Sequence, residues 1–146
     1  MTHRPLLPVI ALLAACVTHS AATYVKMPGP VARPFSAAVV SNGMVYLSGQ
    51  IGVDSTGAKP VAGGIGPETK AAMEQVKTLL EANGSSMNDV VKCTVMLADI
   101  GEWAQMNAVY VTFFPDNKPA RSAFGTSGLA LGARVEIECV GAVREK

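Results

Sequence analysis

Histidine is absent beyond the first 19 residues: His3 and His19 are the only two. A Ser-His-Asp triad or a histidine-rich metal site is thereby excluded from the rest of the chain. Aromatic residues make up 5% of the sequence and the formal net charge is only +1. A chain so close to neutral, and so poor in stacking side chains, lacks the basic footprint of a nucleic-acid binder. Three cysteines do not make a disulfide framework. No apolar run reaches the roughly 20 residues that a membrane-spanning helix needs. Whatever chemistry the chain performs must come from arginine, glutamate, hydroxyls, amides and backbone.

What is present begins with a leader. Arg4 supplies its one positive charge, residues 5–17 are apolar and uncharged, and the small residues Ser20, Ala21 and Ala22 follow. This is the pattern of a secretory signal over residues 1–22. Leu13-Ala14-Ala15-Cys16 resembles the lipobox of bacterial lipoproteins, in which the cysteine is acylated and becomes the mature N-terminus. Ser20 and Ala22 also satisfy the small-x-small rule for ordinary cleavage after Ala22. Either way the expected product is exported and periplasmic, with lipid anchoring if Cys16 is used. Loss of Arg4 takes the 12 basic residues to 11, matching the 11 acidic ones. The roughly 125–130 residues left suit one domain. Residues 23–35, which include Pro28, Pro30 and Pro34, read as an extended lead-in, and residues 36–146 as the domain.

Within that domain, β-rich runs at 36–40 and 44–48 flank Asn42-Gly43, a hairpin signal. Residues 57–66 read as a loop, and Pro67 suits the first position of a helix with Glu68 in its first turn. Ala72, Val76, Leu79, Leu80 and Asn83 form a mostly apolar stripe, and Gly84 stops the helix. Residues 90–97 form a strand. A second helix spans 100–114, with Trp103, Met106, Tyr110 and Phe113 at core spacing, and Pro115 ends it. Cys93 and Cys139 both sit among apolar strand residues and read as buried free thiols, which would bridge only if their Cα atoms lay within about 7 Å. Gly63-Gly64-Ile65-Gly66-Pro67-Glu68 superficially suggests a phosphate cradle. It lacks the Gly-Lys-Ser/Thr ending, and Glu68 would repel an anion, so it reads as a plain loop. The order ββαβα followed by two strands predicts an α+β layer pair with both helices on one face of the sheet.

The two last strands carry the chemistry. Pro119 opens a short extended piece bearing Arg121, and a flexible turn leads to 133–143. There Ala133, Val135, Ile137, Cys139 and Gly141 alternate with Arg134, Glu136, Glu138, Val140 and Ala142. If these pieces pair with each other, a guanidinium and a carboxylate converge on one cleft. The same residues also suit an edge strand whose charges face water. Likewise Asn107 suits a helix-surface amide and Ser48 a strand-end hydroxyl.

Four blocks in order resemble the Rid/YjgF family, the reactive intermediate deaminases. They are Gly43-Met-Val-Tyr-Leu-Ser-Gly-Gln-Ile-Gly52, Glu68-Thr-Lys-Ala-Ala-Met-Glu-Gln-Val76, Met106-Asn-Ala-Val-Tyr-Val-Thr-Phe-Phe114, and Pro119-Ala-Arg-Ser122 with Gly132-Ala-Arg-Val-Glu-Ile-Glu138. The resemblance runs from about Ala32 to Lys146. It implies a chorismate-mutase-like fold, a mixed sheet with two helices on one face, assembled as a homotrimer with clefts between subunits. It implies hydrolysis of small enamine or imine acids of the 2-aminoacrylate type to 2-keto acids and ammonia, with no metal or organic cofactor. Arg121 would grip the substrate carboxylate and Glu136 would orient or activate water. Ser48, Gly49 and Asn107 correspond to pocket residues. Phe35 stands where members often carry tyrosine, and Ala123 where many carry cysteine, so the pocket is more apolar and needs no thiol. A non-catalytic trimer that binds small carboxylates is the alternative. A ribonuclease or chaperone role, also proposed for relatives, is the third reading, and neutral charge and the absence of histidine weigh against nuclease chemistry.

Overall fold

The computed structural model describes residues 21–27 and 33–144. The leader with Cys16, and the lead-in residues Pro28 and Pro30, lie outside the described residues. The hairpin forms where Asn-Gly predicts it. Strands β2 (Ala38–Ser41) and β3 (Met44–Leu47) pair antiparallel through Asn42 and Gly43. Both turn residues have positive φ, 50° and 72°, the pair of left-handed conformations that a two-residue hairpin of matching twist requires. Part of the extended lead-in is paired. Thr23–Val25 is itself a strand, β1, paired antiparallel with β2. A polar-apolar segment beside an open sheet edge gains ladder hydrogen bonds that no local pattern announces.

After the short strand β4 (Gln50–Ile51) comes helix α1 (Ile65–Ala82). It starts two residues before Pro67 instead of at it, which costs nothing because first-turn N–H groups lack intrahelical acceptors anyway. Its face of Thr69, Ala72, Met73, Val76 and Leu80 is buried. Strand β5 (Val90–Leu97) follows over the predicted span. The second helical segment is a composite. A 3₁₀ turn at Ile100–Glu102, opened by Asp99 accepting from the Gly101 N–H at 2.8 Å, leads into α2 (Trp103–Tyr110). A second 3₁₀ turn at Val111–Phe113 follows. Strands β6 (Ala120–Gly125) and β7 (Val135–Ala142) complete the chain.

The sheet order is β1-β2-β3-β7-β5-β6, with β4 also paired to β7. Only β5 and β6 run parallel, joined by the α2 crossover; every other pairing is antiparallel. The mixed α+β sheet therefore has β7 at its centre and β6 at an edge. Val45, Val95, Leu97, Val135 and Ile137 pack with Met73, Val76, Leu80 and Met106 in one core between sheet and helices. Each such fully buried aliphatic side chain contributes about 1.5–3 kcal/mol.

The cysteines depart from the free-thiol reading. Cys93 and Cys139 form a disulfide, with Cα atoms 4.1 Å apart. They stand directly opposite each other on the antiparallel strands β5 and β7. Both side chains point into the same buried core, at 0% and 1% exposure. The 7 Å condition is met because register places the two residues face to face.

Candidate active site

Arg121 and Glu136 do not converge within one chain. Strand β6 pairs with β5, not β7, so β5 stands between the two residues. Arg121 is in register with Cys93, and Cys93 with Cys139, all on the face packed against the helices. Glu136 is one step out of phase, opposite Met96, and so stands on the other face. The expectation of a cleft built by direct pairing of the last two strands is therefore overturned. The alternation was legible, but the partner of each strand was not.

On the helix side, Arg121 is half-buried at the sheet edge beside α2. Its Nη1 donates to Asn107 Oδ1 at 2.9 Å. Its guanidinium carbon lies 5.5 Å from the Trp103 ring centroid and 4.7 Å from that of Tyr110, within range of cation–π attraction. Trp103, Asn107 and Tyr110 are spaced i, i+4 and i+7, so one helix face presents all three to the arginine. The stripe read as core thus divides. Met106 and Tyr110 are buried, whereas Trp103 is 41% exposed and stacks on Arg121. The helical spacing of Trp103 and Tyr110 with Asn107 was the available signal for this cradle. Burial pushes the Tyr110 hydroxyl up to about 12, against the lowering effect of Arg121. Tyr110 therefore stays neutral at ordinary pH and presents its ring to the guanidinium. Among the described residues no carboxylate forms an ion pair with Arg121. Ala123, two residues on, lies on the same face and packs against the core.

On the other side, Glu136 lines a cavity of about 450 Å³ with Phe35 and Gly49. Gly49 is needed because Glu136 occupies the space a side chain would take. A Cβ at position 49 would lie 1.9 Å from Glu136 Oε1. Ser48 is outside this cavity's lining, and its hydroxyl donates to the Ser36 carbonyl at 2.6 Å. It ties the Phe35 segment to the end of β3, keeping oxygen lone pairs as acceptors. Leu131 and Met27 also line the cavity, and neither was predicted from sequence. Leu131 belongs to a turn whose shape no periodicity reveals.

Two contacts hold β7 in place. Glu68, buried at 4% exposure, accepts from the Arg134 backbone N–H at 2.8 Å. The Arg134 guanidinium pairs with Glu102 at the start of α2. The Gly63–Glu68 stretch is not the plain loop expected, since Ile65–Glu68 already belong to α1; its carboxylate is spent on the backbone leading into β7. Among the described residues no three His, Cys, Asp or Glu side chains come together as a metal site.

Comparison with known proteins agrees with this architecture. The family model described as Endoribonuclease L-PSP matches residues 26–143. The chain is 41% identical over 115 residues to the human 2-iminobutanoate/2-iminopropanoate deaminase, covering 79% of this chain and 83% of that protein. RidA from an Antarctic Psychrobacter superposes with a TM-score of 0.72 at 36% identity, over 81% of this chain and 94% of the other. The YjgF gene product of E. coli gives 0.71 at 29% identity, over 83% and 94%. With its four sequence blocks, its sheet order and these relatives in agreement, the chain belongs to the Rid/YjgF family.

Proposed function

We propose that this protein hydrolyses small enamine and imine acids to 2-keto acids and ammonia, as a homotrimer with its clefts between neighbouring subunits. The observation that carries the reading is the half-buried Arg121, cradled by Asn107, Trp103 and Tyr110 yet lacking a carboxylate partner among the described residues. A guanidinium held this way is costly unless a carboxylate completes it. Its planar fork suits the carboxylate of a 2-imino acid. Because Arg121 and Glu136 face opposite sides of one sheet, a cleft holding both calls for two chains. Relatives named as 2-iminobutanoate/2-iminopropanoate deaminases support the choice of reaction.

In this reading Arg121 orients the substrate, and Asn107 Oδ1 fixes the guanidinium plane. Glu136 accepts a proton from water as the water oxygen adds to the imine carbon. That proton passes to the nitrogen of the resulting carbinolamine, whose C–N bond breaks as the C=O forms, releasing the 2-keto acid and ammonia. An imine carbon is already electrophilic, so positioning supplies most of the effect. Phe35 gives an apolar wall, and the Ser48 oxygen and the backbone at Gly49 and Ala123 supply polar contacts. Ammonia release from imino acids generated in situ by an amino-acid oxidase, with and without the protein, tests the activity. Binding without turnover would favour a carboxylate-binding trimer. Sedimentation should report about three times the chain mass; a fully active monomer would rule out the shared cleft.

The reading includes export. A disulfide between Cys93 and Cys139 favours an oxidising compartment such as the periplasm. If Cys16 carries the lipid, only residues 16–22 separate it from β1. That tether reaches about 25 Å when extended, enough to hold the sheet close to the membrane. Intact-mass analysis of the exported protein distinguishes a lipid-modified Cys16 start from a soluble chain beginning at Thr23.

A further inference from the structure

We propose that the cavity beside Glu136 selects imino acids bearing a bulky aliphatic side chain, and that Phe35 and Leu131 recognise it. The inference rests on the imine hydrolysis proposed above and names its substrate class. Phe35 is 51% exposed and Leu131 57% exposed, and both line the cavity that Glu136 lines. Two large apolar side chains left in water beside the reactive carboxylate do nothing for the core. Leu131 is held there by a backbone that a leucine disfavours, with φ of 57° and ψ of 14°. Residues held in such sparsely populated backbone regions cluster at active sites and ligand clamps.

The rest of the wall agrees. Met27, Ile51 and Val53 add apolar surface. Each side-chain amide in the lining spends a donor on backbone: Gln50 Nε2 donates to the Ser48 carbonyl at 2.7 Å, and Gln75 Nε2 to the Ile51 carbonyl at 3.0 Å. With the carboxylate held by Arg121 of the partner subunit and the imine carbon at Glu136, the substrate side chain is left to the Phe35–Leu131 wall. A cavity of about 450 Å³ holds far more than a methyl group. Among the described residues Arg33 is the one cation in this lining, and a dicarboxylic substrate is the competing occupant.

The test compares kcat/KM for imines of leucine, alanine and aspartate on the purified protein. Leucine-derived imine should be preferred over alanine-derived imine by about 10- to 100-fold. Leu131→Gly is the informative variant, because glycine relieves the backbone strain while deleting the side chain. It should melt no lower than wild type, yet its leucine-to-alanine ratio should collapse by about tenfold. Equal rates for the three imines, or a preference for the aspartate imine, would overturn the proposal. So would a Leu131→Gly protein that keeps the ratio and loses its trimer mass, which would make the pair interface residues. If no imine is turned over, the deaminase reading fails, and calorimetry still tests the wall. Binding of 4-methyl-2-oxopentanoate should then exceed that of pyruvate by about tenfold, and equal binding would sink the proposal.

Discussion

Arg121→Ala should lower kcat/KM by about 10²–10⁴, since two charge-assisted hydrogen bonds of roughly 1.5–3 kcal/mol each are lost. Arg121→Lys keeps the charge but loses both the fork and the planar stack between Trp103 and Tyr110, and should be nearly as damaging. Glu136→Gln keeps the shape and cannot accept a proton, so its loss should appear mainly in kcat. The opposite faces of the sheet make a mixing experiment decisive. Each inactive variant retains the half of the cleft that the other lacks. Arg121→Ala and Glu136→Gln chains, unfolded and reassembled together in equal amounts, should recover about a quarter of wild-type activity. Only one in roughly four randomly formed clefts joins an intact Arg121 to an intact Glu136. No recovery from well-formed mixed trimers would place both residues in a single-chain site or remove one of them from catalysis. Wild-type turnover by folded Arg121→Ala would make the arginine structural.

Replacing Cys93 and Cys139 together by alanine should cost about 4 kcal/mol, the chain-entropy figure for a crosslink spanning 46 residues. For a domain of this size the melting temperature should fall by about 10 °C or more. Reduction under denaturing conditions should give the same shift on refolding. Because both sulfurs are buried, the native protein should resist thiol reagents and mild reductants alike. Two thiols titrating in denaturant without any reductant would restore the free-thiol reading of this pair. The crosslink ties β7, which carries Glu136, to β5, the neighbour of Arg121 on β6. Its loss should therefore broaden the geometry on both sides of the sheet and lower activity along with stability.

The sequence by itself determined the local elements and the residue types on each. Alternation in 135–142 marks a strand with one buried face because a pleated chain repeats every two residues. Asn42-Gly43 marks its turn because few other pairs tolerate two left-handed conformations. The four family blocks carry Arg121, Glu136, Asn107 and Gly49. Only tertiary structure decided how they relate. Whether Cys93 meets Cys139 depends on the register of two strands 46 residues apart, which a shift of one position would destroy. Whether Arg121 and Glu136 share a face depends on β5 lying between their strands, and neither strand's own pattern encodes its neighbour. Trp103 looked like core because helical spacing reports which residues share a face, not what that face meets. Here it meets a guanidinium at the sheet edge. Local periodicity is set by backbone geometry alone, whereas pairing and register are set by the burial of the whole chain at once.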